Sequence, residues 1–172
     1  MDHNNRTEKK YMSPEKMKPI NPLSEIIKLL DEGGATYRII SHTPVYTSAQ
    51  AEAISGLSLN QGAKVMLLRT EDKFVLAVLP GDKRVDFKKV SQYLGAKKVG
   101  LATEEEVKGV MHCDLGACYP FGSFIGIRTI ADPLLKEEEI IAFNPGVNDQ
   151  TIIMGSGEYF KIAVPEVLPI TK

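Results

Sequence analysis

Long apolar runs are missing from this chain. The longest, FVLAVLP from Phe74 to Pro80, is far too short to span a bilayer, and the opening MDHNNRTEKK lacks the apolar core of a secretory leader. Excess charge is missing as well. The formal net charge is −1, so no global field draws the chain to nucleic acid or to an anionic membrane, and any such contact must come from a local patch. Cysteine is scarce: Cys113 and Cys118 make no disulfide framework, and their spacing is not that of a zinc site. His112 adjoins Cys113, but no second ligand pair appears elsewhere, so no metal is expected. No repeat stands out at a fixed period. What remains is a cytosolic protein with no membrane partner.

What is present is ordinary in kind. A chain of 172 residues with 43% hydrophobic and 25% charged residues suits one domain around a single core. Residues 1–21 are polar, carry Pro14 and Pro19, and through Lys18 hold five basic residues against three acids. They read as a flexible, slightly basic arm. The folded domain is expected over residues 22–172.

Within it, NPLSEIIKLLDEGG predicts a helix, with Leu23, Ile26, Ile27, Leu29 and Leu30 on one face and Gly33-Gly34 as its end. TYRIIS predicts a strand, and TSAQAEAIS a short helix stopped by Gly56. AKVMLLRTEDKFVLAVLPG predicts a hairpin whose turn is Thr70–Lys73. VDFKKVSQYLG predicts an amphipathic helix, with Val85, Val90 and Leu94 inward. KKVGLA follows as a strand and TEEEVKGVM as a helix capped by Thr103. FIGIRTIAD, EEIIAFNPG and QTIIMGSG predict three more strands. Helices and strands interleave without a regular βαβ rhythm, so the expected class is α+β with a mixed sheet.

Four places depart from this routine. Lys64 opens an otherwise apolar strand; it either snorkels to the rim or faces a cleft as a point charge for a phosphate or carboxylate. His42 lies in SHTP at a strand exit, as a cap or as an acid–base group. FNPGVNDQT crowds Asn144, Asn148, Asp149 and Thr151 into a turn that Asn and Asp favour for backbone reasons alone. The last is GACYPFG, Gly116 to Gly122. Its glycines and Pro120 fix a bend and leave backbone N–H groups without an obvious partner.

The succession of His42 after a strand, Lys64 at the hairpin start, VLPGDKRVDFKKVSQYLGAKKVGLAT, the G-x-x-x-P loop and FNPG resembles the YbaK/ProX-type aminoacyl-tRNA deacylases. These are relatives of the editing domain in bacterial prolyl-tRNA synthetases. The resemblance runs from about Leu23 to the C-terminus. It implies a mixed, partly barrel-like β-sheet surrounded by helices, in a single domain that binds the acceptor 3′ end of a mischarged tRNA. It also points to an aminoacyl-tRNA synthetase as a partner.

In such proteins the lysine matching Lys64 is expected to contact the terminal nucleotide or its phosphate, and the loop to hold the ester carbonyl. No cofactor, metal or covalent nucleophile is implied: water attacks, helped by a ribose hydroxyl. Lys64, Gly116, Ala117 and Cys118 are thus the expected catalytic set. His42, Tyr46, Tyr119, Pro120, Phe121, Asn144 and Gly146 are the expected substrate-binding set, with Tyr119 or Phe121 as an aromatic wall.

The chemistry of the loop agrees with this. Ester hydrolysis builds negative charge on the carbonyl oxygen, and backbone N–H donors already aimed at it contribute on the order of a hundredfold in rate. Glycine admits the substrate closely and proline holds the bend. Cys118 as a nucleophile would need a base, and His112, on the preceding helix, is the only one nearby. A second pocket of this kind corrects errors that a synthetase cannot avoid, because one missing methylene changes binding by only about 1–3 kcal/mol. Lys83, Arg84, Lys88, Lys89, Lys97 and Lys98 form either a basic flank for the acceptor phosphates or a solvated face.

Val65, Pro145 and Thr151 depart from the family pattern and leave the amino acid removed open. They also keep open a non-catalytic tRNA-, nucleotide- or protein-binding module on a degenerate editing fold. Hydrolysis of another small ester or thioester is a third reading.

Overall fold

The computed structural model describes residues 20–172. The polar arm expected at residues 1–21 lies, apart from its last two positions, outside the described residues. The first helix, α1 (Pro22–Glu32), begins where Asn21 accepts the Ser24 N–H and Pro22 supplies a preset first turn. Strand β1 (Tyr37–Ser41) follows. Helix α2 (Ser48–Ser55) opens on a reciprocal capping box between Thr47 and Gln50. Strands β2 (Ala63–Thr70) and β3 (Phe74–Pro80) form the expected hairpin, paired from Ala63 with Pro80 to Arg69 with Phe74.

Then come α3 (Phe87–Leu94), β4 (Val99–Leu101) and α4 (Glu104–Met111), the last with a Thr103–Glu106 capping box. The C-terminal third holds β5 (Arg128–Ala131), β6 (Ile140–Phe143), β7 (Gln150–Gly155), α5 (Ser156–Ala163) and β8 (Glu166–Val167).

The strands make two sheets. One is antiparallel, ordered β1-β7-β6; the other is mixed, ordered β4-β2-β3-β5-β8, with β3-β5 and β5-β8 parallel. A parallel bridge from Gly62 to Ala142 links them. This is the mixed α+β single domain that the resemblance implies, built on two sheets.

Strand β3 shows why its sequence is apolar without alternation. Leu76 and Val78 join the main core, with Ile26, Leu30, Phe121, Phe143, Ile152 and Tyr159. Val75, Ala77 and Leu79 point the other way, into a second core with Leu68, Val85, Val90, Ile130 and Ile170. A strand covered on both faces keeps no polar side. The chain end is pinned by Asp132, whose buried carboxylate accepts the N–H groups of Ile170 and Thr171. Among the described residues no helix is long and apolar enough to cross a membrane.

Candidate active site

Alternation along β2 decides where the site opens. Ala63, Val65 and Leu67 belong to or pack on the main core, while Met66 and Leu68 belong to the second. At the Lys64 end of the strand a hollow of about 430 Å³ opens between α2, β2, the 115–118 turn and the ends of β6 and β7. Lys64, Gly116, Cys118, Asn144, Tyr46 and Thr151 all line it. Its inner wall is apolar, with Val65, Leu67, Ala102, Val107 and Phe143. Tyr46, Leu101 and Leu115, at 65%, 57% and 53% exposure, are among the most exposed large apolar side chains described, and all three belong to the hollow's lining. An apolar rim around a cleft is the mark of a ligand site rather than of free surface.

Lys64 donates from Nζ to the Lys83 carbonyl, on the turn that follows β3. Partial burial, above all, and the nearby Arg84 charge push its amine below the usual lysine range, with Asp82 pulling the other way. An ammonium has three donors, so two N–H groups remain for a ligand. Lys64 lines the hollow, and Arg84 is near enough for its charge to act on the Lys64 amine.

The loop Gly116–Pro120 is held from several sides. Ala117 N–H donates to Asp114 O at 2.9 Å, and the Asn144 side chain donates from Nδ2 to Gly116 O at 2.8 Å. Tyr119 donates its hydroxyl to Met111 O, and Tyr159 its own to Pro120 O, each at 2.8 Å and buried. Gly116 is exposed at the hollow, and its N–H has no backbone acceptor among the described residues. The N–H of Ala117, expected among the oxyanion donors, is committed inside the turn.

The aromatic wall expected from Tyr119 and Phe121 is not part of the hollow's lining. Both rings are core: Tyr119 stacks on Phe124, and Phe121 packs edge-on against Phe143 and Tyr159. Pro120 is buried with them. Gly146 also lies away from the lining. Its φ of +86° favours glycine, and a Cβ there would come within 2.6 Å of Pro22. These residues hold the loop up from beneath.

His42 sits one step behind the hollow. Its Nδ1 lies 2.7 Å from Thr43 O and its Nε2 2.7 Å from Thr151 Oγ1. Thr151, named in the FNPGVNDQT turn and as a departure from the family pattern but absent from the expected site residues, is in the lining. Helix α2 also contributes side chains that no sequence signal singled out, Ala51, Glu52 and Ser55 among them.

The two cysteines are buried. The neighbouring Cys118 thiol, with burial, pushes the Cys113 thiol up, and the neighbouring Cys113 pulls Cys118 down against burial. His112 is turned into the left-handed cap of α4, at φ 55°. Among the described residues no three His, Cys, Asp or Glu side chains gather as a metal would need. Of the basic flank, Lys83 pairs with Asp82 at 3.7 Å and Lys89 donates to Thr171 O.

Comparison with known proteins settles the family. Residues 42–162 match the aminoacyl-tRNA editing domain, and the chain belongs to that family. It is 33% identical over 148 residues to the multifunctional Ser/Thr-tRNA deacylase ProXp-y of Escherichia coli (strain K12), covering 83% of this chain and 89% of that protein. To the prolyl-tRNA editing protein ProX of Acetoanaerobium sticklandii it is 27% identical over 143 residues, covering 80% and 87%. The fold matches a solved candidate trans-editing enzyme for prolyl tRNA synthetase with a TM-score of 0.76, at 17% identity over 91% of this chain and 99% of that one.

Proposed function

We infer that the protein is a cytosolic, trans-acting aminoacyl-tRNA deacylase that hydrolyses the ester of a mischarged tRNA. The observation that carries this reading is the shared hollow: Lys64 and Gly116 line one cavity about 430 Å³ in volume, in a chain of the editing family. The terminal nucleotide lies at the rim, with its phosphate against Lys64 and Arg84 and its base against the exposed ring of Tyr46. The aminoacyl group enters the apolar interior.

The ester carbonyl faces the turn at Gly116. As water adds, negative charge collects on the carbonyl oxygen, and the uncommitted Gly116 N–H is placed to meet it. Asn144 ties the carbonyl of the following peptide, Gly116–Ala117, and so steadies the turn that carries the donor as charge develops. A vicinal ribose hydroxyl of the substrate takes part in activating the water. An aminoacyl ester is already activated, so no Ser-His-Asp or Cys-His relay is required. An aminoacyl-tRNA synthetase is the partner that would hand over such a substrate.

A panel of tRNAs charged with Ala, Ser, Thr, Cys and Pro, incubated with the protein, tests the reading. Ester loss on at least one, abolished in Lys64→Ala with the fold intact, is expected. Binding of tRNA without ester loss on any would make the protein a binding module, and ester hydrolysis indifferent to tRNA would make it a general esterase.

A further inference from the structure

We propose that Thr151 is the acceptor for the substrate's α-ammonium group, set in that role by His42. The inference rests on the deacylase reading above for the identity of the ligand, and on hydrogen-bond geometry for everything else. Imidazole Nδ1 faces the carbonyl oxygen of Thr43 at 2.7 Å. A carbonyl only accepts, so Nδ1 carries the proton, an assignment made from its partner. Nε2 of the neutral ring is then an acceptor, and the Thr151 hydroxyl 2.7 Å away is its donor. With its proton committed to His42, Thr151 Oγ1 offers only lone pairs to the hollow it lines.

A hydroxyl held in this way welcomes an N–H donor and repels a carbonyl or phosphate oxygen. The chain behind it is fixed: His42 N–H donates to Asp149 O at 2.9 Å, and Thr151 is paired with Ile40 across β1 and β7. On that fixed backbone the ring is oriented by its two bonds, one at each nitrogen.

Position identifies the donor. Phe143 pairs with Ile152 in the β6–β7 ladder, so Asn144 and Thr151 are the next opposed residues at its open end. Asn144 in turn holds Gly116. Thr151 thus sits beside the loop that receives the ester carbonyl. An α-ammonium nitrogen is two bonds from that carbonyl carbon, whereas a side-chain terminus points away from it. The group that Thr151 meets is accordingly the α-ammonium, which every aminoacyl ester carries. Glu52, the carboxylate in the lining, lies across the cavity wall on α2 and is exposed, so it is the alternative partner to test.

The experiment reads binding, so it does not depend on catalysis. The probes are 3′-(L-alanylamino)-3′-deoxyadenosine, a non-hydrolysable amide with a free ammonium group, and its N-acetyl derivative, which has none. Calorimetry on the wild type is expected to show preference for the free amine by about tenfold or more, the scale of one hydrogen bond to a charged group. Thr151→Val, nearly the same shape without the hydroxyl, is expected to lose that preference by weakening only the free-amine probe. Thr151→Ser is expected to restore it, and Glu52→Gln to leave it in place.

Equal weakening of both probes in Thr151→Val, an unchanged preference, or a preference lost in Glu52→Gln instead overturns the assignment. Failure of the deacylase reading shows separately, as an intact ester on every charged tRNA while these binding differences stand.

Discussion

Asn144 reaches across 28 positions of sequence to hold Gly116: its Nδ2 donates to the Gly116 carbonyl at 2.8 Å. A carbonyl tied from outside fixes the plane of the peptide that carries it, and the turn Leu115–Ala117 is short enough that one such tether sets its pose. Because Asn144 follows β6 and Gly116 follows α4, the bond joins two segments that could otherwise shift independently.

Removing that tether tests preorganisation. Asn144→Ala leaves Gly116 O free to water, so its cost in stability is small, about 1 kcal/mol. Its cost in kcat for ester hydrolysis is expected to be about tenfold or more, since oxyanion donors lose value when they must reorganise. Single-turnover deacylation and a urea melt separate the two. A stability loss with full activity would show the bond to be structural only.

Lys64 gives a pH signature with a definite sign. Burial and Arg84 hold its amine below the ordinary lysine value of 10.5, so the folded chain releases that proton at a lower pH than the unfolded one. Affinity for adenosine 5′-monophosphate is expected to fall as pH rises through the lowered value, and Lys64→Arg, which keeps its charge, is expected to stay level over the same range. Stability moves oppositely. Between the lowered value and 10.5 the unfolded chain binds a proton that the native chain lacks, so the Lys64 contribution to folding rises with pH. Calorimetry for binding and denaturant melts from pH 7 to 11 check both signs; flat binding in the wild type would remove Lys64 from the anion site.

Cys118 lines the hollow and so invites a covalent mechanism. Its thiol donates to Leu115 O, and both cysteines are buried. No histidine is hydrogen-bonded to it among the described residues, and His112 is held as a helix cap. Cys118→Ala is therefore expected to keep deacylation within about fivefold of wild type, since a missing nucleophile costs orders of magnitude more. Rapid-quench mass spectrometry is expected to show no thioester on the protein; an accumulated acyl-enzyme would reverse this.

Much of this was legible in the residues, and what was not has physical reasons. Helix α4 announced itself because Thr103 and Glu106 form a capping box over an acidic first turn. Helix α5 did not: it starts at Ser156-Gly157 after Gly155 with no side-chain cap, and it reads as the tail of the preceding strand. Strand β8 is two residues long and exists only through its pairing with β5.

In the site, Lys64 stood out as a charge opening an apolar strand, and the 116–120 loop through its glycine and proline. Tyr119 or Phe121 reads as a wall because an aromatic beside a loop has no sequence mark of which side it faces; packing against Phe124, Phe143 and Tyr159 decides it. Thr151 stands out in its turn and against the family pattern, but nothing in the sequence ties it to the site. Its role depends on a histidine 109 positions away.

The glycines that bracket the loop separate function from folding. At Gly122 an added Cβ would fall 2.0 Å from Ile127 O and 2.5 Å from Thr129 Oγ1. The backbone cannot yield there without losing the bond from Ile127 N–H to Gly122 O. Gly122→Ala is expected to cost about 2–4 kcal/mol of stability, as overpacking against main chain does. At Gly116 an added Cβ would meet Tyr46 O at 3.5 Å and Tyr46 Cα at 3.6 Å, ordinary contacts, so the fold does not require glycine there. If the residue is glycine because a substrate carbonyl comes against it, Gly116→Ala should fold with stability within about 1 kcal/mol of wild type and lose deacylation by tenfold or more. Denaturant melts and deacylation rates on both variants decide it: an active Gly116→Ala would place the ester carbonyl elsewhere in the hollow, because nothing among the described residues fills the space that its methyl group would take.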